Sequence, residues 1–548
     1  MGVSLSEEAK KVCGLLRTHG VGALISRLRS RLLPLSYHAW VRRYGTLSPA
    51  DRAALTGQLD ALQARPRFVF FLLGPIEPRA LERTFASLDE QAYPDWELVL
   101  KSGEKLPNLP DLKGRLRVLT HPIRLPPNSF VGTIRAGDTM PPQALGVFAL
   151  ECSSGEAEVV YSDEDVINSE GHRDSPCFKT DWNPDLFAHR NYLGSMTVIR
   201  SDLLPAPVHV DSVTEWEALI NRAIGQRTPS PQTIRHLPFI LYHCAHRAIP
   251  PPSANRTVRN DGPIVSIVIP SRDNGAVLKR CIESIRLKTT YQTYRIVVVD
   301  NGSVEPEACE FLKLLERTGA AQIVRDDRPF NFSSLCNLGA RCAQGELILF
   351  LNNDVEVITP SWLSFLVQAV SRSGVGAAGA CLWYPDHTLQ HGGVTLGLGG
   401  IAGHFGRGLI RRGEERWGRT AEPSTVSAVT GACMIVPRDL FERCGGFDEQ
   451  HLPIAYNDVD LCLRFKELGF RTAYEPRAEL YHYESASRTS DFASPRRERY
   501  REEVAFMRDR WGALLEQDPF FSPNLALENG IRRLSRPPRI KAPWQLAS

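Results

Sequence analysis

Ile264-Val265-Ser266-Ile267-Val268-Ile269-Pro270 is a short apolar run, rich in β-branched residues and stopped by a proline. Such a run reads as a strand buried on both faces of a sheet. A counterpart stands far upstream, Phe68-Val69-Phe70-Phe71-Leu72-Leu73, again followed closely by a proline. Leu81-Glu82-Arg83 and Ser87-Leu88 then answer Leu278-Lys279-Arg280 and Ser284-Ile285. Tyr93, Trp96 and Leu98-Val99-Leu100 answer Tyr291, Tyr294 and Ile296-Val297-Val298. Both copies read strand, helix, strand, the opening of a parallel α/β sheet. Three elements at one near-constant offset are an internal repeat, so the spacing predicts one α/β architecture used twice.

Length agrees, because 548 residues are long for one domain and comfortable for two with short flanks. The expected division is a helical N-terminal extension over 1–65, a first α/β domain over 66–249 and a linker over 250–262 containing Pro250-Pro251-Pro252. A second α/β domain follows over 263–490, then a helical tail over 491–548. Sixty-five Lys and Arg against 62 Asp and Glu leave a net charge of +3, too small a field to steer the chain to nucleic acid. The 12 cysteines form no CxxC pair, which argues against a zinc ribbon or thioredoxin-type site; reduced thiols and a cytoplasmic location are expected. No apolar run approaches the roughly 18–20 residues of a membrane span. Val21, Leu24, Ile25, Leu28 and Leu32 make a helical stripe among Lys10, Lys11, Arg17, Arg27, Arg29 and Arg31. This helix could lie peripherally on an anionic membrane surface at its inner face. Packing on the first domain is the favoured reading, since Gly14, Gly20 and Gly22 weaken an isolated helix.

Chemistry concentrates at the ends of strands in the second copy. Val297-Val298-Val299 ends in Asp300-Asn301-Gly302-Ser303, where open parallel sheets bind ligands. An acid there can hydrogen-bond a ribose or a base, or merely cap a turn. Leu347-Ile348-Leu349-Phe350-Leu351 ends in Asn352-Asn353-Asp354, a carboxylate with amide oxygens that suits a hard divalent cation bound to diphosphate, or again a turn.

Taken together, the strand ending at Pro270, the VVVDNGS run, FNFSSLCNLGA (330–340) and LFLNNDVEV resemble family 2 glycosyltransferases with the GT-A fold. HGGVTLGLGG (391–400), VTGACMIVPRDLFERCGGFDE (429–449), YNDVDLCLRFKELGFR (456–471) and LYHYESASR (480–488) resemble its rhamnosyltransferase-like, O-antigen and cell-wall branch. YSDEDVI (161–167) and FKTDWNPDLF (178–187) are similar to the first domain of tandem enzymes of that branch. The resemblance implies two GT-A, Rossmann-like domains in tandem and an inverting transfer from a nucleotide-diphosphate sugar to a hydroxyl of a glycan or lipid-linked glycan. It implies Mg or Mn as cofactor, and deoxythymidine-diphosphate rhamnose or another nucleotide hexose as donor. By the same resemblance Asp458 is the general base, Asp354 and His482 hold the metal with Glu484 behind the histidine, and Pro270, Arg272, Asp300, Asn301, Gly302, Ser303, Asn337, Asn352 and Asn353 line the donor site. Gly431, Ala432, Asn457 and Asp460 fall to the acceptor or transferred sugar. Asn457 departs from the acid common at its position, which raises Asp460 as another base; the helical spacing sets Asp460 on a different face from Asp458.

The first copy departs from the pattern where chemistry is expected. Asp300 aligns with Ser102, and Asp354 with Gly137, leaving Asp138 displaced by one and Arg135 close by. Glu215 marks the old base position. Asp163-Glu164-Asp165 imitates a metal triad but lies after the metal motif, so no metal role is assigned to it. A degenerate first domain is expected, kept for acceptor binding or packing. Gly397-Leu398-Gly399-Gly400-Ile401-Ala402 imitates a dinucleotide fingerprint but does not follow the first strand. The rival functions are a non-catalytic glycan-binding scaffold and a sugar-nucleotide nucleotidyltransferase; the latter needs a Gly-rich basic loop where Pro270-Ser271-Arg272-Asp273-Asn274-Gly275 stands.

Overall fold

The computed structural model describes residues 35–74, 77–101, 114–119, 121–168, 170–225, 229–246, 258–410, 419–484, 496–527 and 533–543. The stripe at 21–32, Ser102, the proline linker and the end of the 480–488 motif lie outside these residues.

The first sheet contains β1 (Arg67–Leu73), β2 (Trp96–Lys101), β3 (Leu116–Leu119), β4 (Ser129–Arg135), β5 (Val159–Ile167), β6 (Arg173–Cys177), β7 (Thr197–Arg200) and β8 (Ile234–Cys244). Its order is β3-β2-β1-β4-β7-β5-β6, with β8 also on β5. The second sheet contains β9 (Val265–Ser271), β10 (Tyr294–Asp300), β11 (Gln322–Arg325), β12 (Leu347–Leu351), β13 (Val355–Val357), β14 (Val375–Trp383) and β15 (Leu389–His391). A small ribbon of β16 (Val394–Leu396) and β17 (Ala402–His404) precedes β18 (Ser424–Val426), β19 (Cys433–Pro437) and β20 (Arg471–His482), which rejoin the second sheet. Its order is β11-β10-β9-β12-β19-β14-β20-β13.

The predicted repeat is a repeat of topology. The order β3-β2-β1-β4-β7-β5-β8 is reproduced by β11-β10-β9-β12-β19-β14-β20. Directions match as well: the first four strands run parallel, β7 and β19 run against both neighbours, and the last pair is parallel.

Strand β9 is buried along its whole length. Val265, Ile267 and Ile269 face a core with Leu278, Ile282 and Ile285 of the Gly275–Lys288 helix and with Trp362 and Leu366. Val268 faces the opposite core with Leu335 and Cys336 of the Phe332–Cys342 helix. Burying each such side chain stabilises by roughly 1.5–3 kcal/mol, so period-two alternation fixes which helix lies on which face. Gly339 permits the Phe332–Cys342 helix to lie flat: a Cβ there would come within 2.3 Å of Val268 Cγ1.

The two halves meet through buried polar contacts. Asn183 exchanges two hydrogen bonds with the Thr425 backbone, donating at 2.9 Å and accepting at 2.8 Å. Asp185 accepts from Thr425 Oγ1 (2.8 Å), Arg372 (2.8 Å) and Arg471 (2.9 and 3.2 Å). Among the described residues of the expected helical tail the helix covers Arg496–Glu516; the described chain beyond returns to the first half, where Asn524 donates to Asp163 and Trp40 donates to the Ser535 carbonyl. Proline and asparagine punctuation after Glu516 explains the change. Among the described residues no helix is long and apolar enough to cross a membrane.

Candidate active site

Three strands bring the site together. Parallel β9, β10 and β12 end side by side at Ser271, Asp300 and Leu351, and β20 arrives with His482 next to β13. Gly302, at φ 69°, turns the chain sharply out of β10. Asp300 Oδ1 accepts from Ser303 N (3.0 Å), and its Oδ2 accepts from Arg325 (3.0 Å). Asn301 donates to the Asp326 and Arg328 carbonyls at 2.9 and 2.8 Å, while its buried Oδ1 has no donor among the described residues. Sequence reasoning missed Asp273: its Oδ1 accepts from Val304 N and Glu305 N (2.8 and 2.9 Å), and its own N–H donates to Ser303 Oγ (2.8 Å). Those amide bonds hold the Asp273 carboxyl below its ordinary pKa and pin the two loops under Asp300 together. Pro270 is buried within β9 beside Val299, Arg272 just beyond the strand is half-exposed, and Asn353 donates to Ser271 Oγ at 3.0 Å.

Asp354 and His482 face each other with Asp354 Oδ1 3.1 Å from His482 Nε2. Gln390 Oε1 takes the hydrogen of His482 Nδ1 at 2.6 Å, so in the neutral ring Nε2 is a bare acceptor. Asn352 Nδ2 donates to Nε2 at 3.1 Å. Asp354 Oδ1 is buried and has no hydrogen-bond donor among the described residues. Two electron-pair donors turned toward one point, with one left unsatisfied, fit a divalent cation that keeps most of its shell for diphosphate and water. Among the described residues no three His, Cys, Asp or Glu side chains gather as a metal site, so protein ligation would be sparse.

Glu484 was expected directly behind His482, but Gln390 intervenes, donating to Glu484 Oε2 at 3.1 Å. Burial alone would raise the Glu484 carboxyl; the Tyr384 hydroxyl (2.7 Å) and Arg407 (3.1 Å) hold it below its ordinary value. His391 and His404 approach through their Nδ1 atoms at 3.2 Å, and burial keeps both rings neutral. Asp458 contributes to the field on His404. His391 was legible only as the start of a glycine-rich run, and no local pattern singled out Gln390.

Asp458 sits in the first turn of the Asn457–Glu467 helix, and its Oδ2 accepts from Gly431 N at 2.8 Å. A Cβ on Gly431 would make ordinary van der Waals contact with Phe332 at 3.6 Å and with Asp458 at 3.7 and 3.9 Å, so this glycine packs directly against the carboxylate. The Ala432 carbonyl accepts from Asn352 N (3.0 Å), tying this segment to the Asp354 loop.

Four expected site residues are committed to internal partners. Asp460 is fully buried and accepts from Arg464 (2.7 Å) and Trp511 (3.0 Å), so it meets neither a sugar nor an acceptor hydroxyl. Asn337 spends its amide on Phe447 and Glu449, because it fastens the loop that follows β19. Asn457 donates to Ser333 Oγ (2.9 Å), joining two helices, and Ser303 serves the loop pairing described above.

The first half shows the same framework, with its acids at the matching strand ends held by neighbouring side chains and backbone amides. The bridge between Thr139 and His243 matches the pairing of Val355 with His482, so Asp138 is the counterpart of Asp354 and His243 of His482. The strand-start alignment that set Asp354 on Gly137 was one residue out, because β4 runs on to Arg135 and Asp138 is third after its end, as Asp354 is third after β12. Asp138 accepts from Tyr242 OH (2.8 Å) and Ala245 N (2.7 Å), and burial raises its pKa to about 6. His243 donates instead to Asp165, which also holds Tyr37 and Arg173. Asp163 accepts from Lys179 N and His236, and Glu164 pairs with the buried Lys179 ammonium (3.1 Å). Glu215 caps its own helix by accepting from Asp211 N at 2.7 Å.

Residues 266–445 match the model of Glycosyl transferase family 2. The chain is 33% identical to an uncharacterized protein, y4gI, of Sinorhizobium fredii, over 92% of this chain and 62% of that protein. It is 32% identical to the O-antigen biosynthesis protein RfbC of Myxococcus xanthus, over 93% of this chain and 45% of the relative. An N-acetylglucosaminyl-diphospho-decaprenol L-rhamnosyltransferase of Mycobacterium tuberculosis is 24% identical over 45% of this chain and 85% of its own length. The chain thus spans less than two thirds of the first two relatives. Among solved structures, GalNAc-T7 with UDP, GalNAc and Mn2+ aligns at 18% identity and TM-score 0.38, covering 46% of this chain and 50% of that one.

Proposed function

We propose that this chain, whose residues 266–445 are a family 2 glycosyl transferase domain, moves a hexose or deoxyhexose from a nucleotide-diphosphate sugar to a hydroxyl of a surface glycan or its lipid-linked precursor. The relatives named for O-antigen biosynthesis and rhamnosyl transfer support that substrate class. The observation that carries the reading is the facing pair of Asp354 Oδ1, without a donor among the described residues, and His482 Nε2, 3.1 Å apart beyond the strand end next to that of Asp300.

In this reading Asp300, the Asn301 Oδ1 and Arg272 engage the nucleoside and its phosphates. Asp354 and His482 would hold Mg or Mn, whose chemistry when bound is to neutralise charge on the departing diphosphate. Gln390 keeps the hydrogen on His482 Nδ1 and leaves Nε2 as a ligand atom. Asp458, oriented by Gly431 N, accepts the proton of the acceptor hydroxyl while that oxygen bonds to the anomeric carbon. The bond from that carbon to the diphosphate oxygen breaks on the opposite side, so configuration inverts and a nucleoside diphosphate leaves. The first half, its acids committed to internal partners, serves as a packing partner and not as a second active centre. Nucleotide-sugar donors imply work in the cytoplasm. The test is donor turnover by the full chain with Mg²⁺ or Mn²⁺, alongside Asp458→Asn.

A further inference from the structure

The Asn457–Glu467 helix lacks a side-chain cap, and its N-cap residue Tyr456 lies at φ 60°. A bulky non-glycine residue there is strained by roughly 1–2 kcal/mol and persists only where its surroundings impose it. The surroundings here are the Arg496–Glu516 helix, which begins well beyond the residues matched to the family. Glu503, with a side chain 1% exposed, accepts from both Ile454 N (2.9 Å) and Ala455 N (2.8 Å) through one oxygen. Tyr500 and Tyr456 share a hydroxyl–hydroxyl hydrogen bond of 2.8 Å. Phe506 stacks on His451 with centroids 4.4 Å apart, and Trp511 donates to Asp460 at 3.0 Å. Trp511 and Met507 are buried in the same core as Val459 and Leu461, so the helix is built into this part of the molecule.

These contacts grip both sides of Asp458. Glu503 and Tyr500 hold residues 454–456, two to four positions before it, and Trp511 holds Asp460, two positions after. Gly431 then receives a carboxylate whose backbone is already fixed. We infer that Glu503 and Trp511 are positioning residues for Asp458, making the Arg496–Glu516 helix an external brace of the base in the transfer reaction. The inference rests on the proposed transferase function. Misplacing a reacting group by about 1 Å costs on the order of 100-fold in rate, and the brace hydrogen bonds named above go to residues 454–456 and 460, away from the Asp300 and Asp354 loops.

The test compares full-length wild type with Glu503→Ala, Glu503→Gln and Trp511→Phe, reading donor turnover, nucleoside diphosphate affinity and melting temperature. Glu503→Ala should lower kcat by about 10- to 100-fold with donor KM and nucleotide affinity unchanged. Glu503→Gln, which keeps an accepting oxygen, should recover most of that loss. Trp511→Phe should lower kcat about tenfold, and it carries the same expectation should Glu503→Ala fail to fold. A merely structural role would lower the melting temperature and leave kcat of the folded enzyme alone. Folded Glu503→Ala or Trp511→Phe with kcat within twofold of wild type overturns the inference, as does a loss of nucleotide affinity in step with kcat. A wild type that turns over no donor refutes the transferase reading itself. In that case amide exchange decides the brace: protection of residues 454–458 should fall in Glu503→Ala while that of β10 holds, and unchanged protection overturns it.

Discussion

Replacing Asp185 by asparagine removes one negative charge from the junction between the halves and changes little else. The Asp185 side chain is 1% exposed and faces two guanidinium groups, Arg372 at 2.8 Å and Arg471 at 2.9 and 3.2 Å, besides Thr425 Oγ1. Removing one partner of a fully buried ion pair costs about 3–5 kcal/mol, because the other charge stays desolvated. Arg372 and Arg471 are 28% and 25% exposed and keep Glu475 (3.7 Å) and the Ser373 carbonyl (2.6 Å) as partners, which lowers the expected loss to roughly 2–3 kcal/mol. Burial opposes ionisation of Asp185, but the Arg471 and Arg372 bonds outweigh it and hold its pKa below the usual carboxylate range. A depressed folded pKa contributes stability that is present above the unfolded value and lost as pH falls through the folded one. The penalty of Asp185→Asn should therefore be complete at pH 7 and shrink below about pH 4. Urea unfolding followed by circular dichroism at both pH values measures it. A midpoint corresponding to less than about 0.5 kcal/mol at pH 7, or an equal loss at both pH values, would refute the reasoning.

Two further outcomes concern the first half. Burial opposes charge on His236, yet Asp163 (2.9 Å) and Asp181 (3.1 Å) raise its pKa to about 9. Set against about 6.5 unfolded, that contributes on the order of 3 kcal/mol, complete below pH 6.5 and lost as pH rises through 9. Thermal unfolding of wild type should weaken across that window, whereas His236→Gln should be nearly flat; parallel profiles would contradict the assignment. Asp138, raised to about 6, favours its protonated form in the fold, so its contribution is greatest below about pH 4 and falls as pH rises through 6. Asp138→Asn should stabilise the protein by about 1–3 kcal/mol at pH 8 and by almost nothing at pH 4, read from urea midpoints.

The repeat was legible because central parallel strands are buried on both faces, and that burial writes itself as predominantly apolar runs at 68–73 and 264–270. Asp300, Asp354, Asp458 and His482 stood out because each lies at the end or start of a recognisable element. Asp138 was misaligned because strand length, not the strand's start, sets where the following acid falls. The Leu241-Tyr242-His243 and Leu480-Tyr481-His482 runs carried the signal that equates His243 with His482; only the sheet pairing shows that both reach the same place. Asp460 looked like a site residue because it is acidic and two positions from Asp458, but two residues along a helix turn a side chain by about 200°. Its partner Trp511 and the Glu503 grip on residues 454–455 join segments distant in sequence, and no local pattern announces such pairs.

The central claim is that Asp458 removes the acceptor proton at a site where Asp354 and His482 hold the cation that binds the donor. Its most direct measurement is turnover of a nucleotide-sugar panel with Mg²⁺ or Mn²⁺ by wild type and Asp458→Asn, with nucleoside diphosphate affinity measured on both. The account predicts that wild type consumes at least one donor. It predicts that Asp458→Asn loses about 10²- to 10⁴-fold in kcat while binding nucleotide and metal as wild type does. Undiminished turnover by Asp458→Asn, or no donor consumed by a wild type that binds nucleotide, would contradict it.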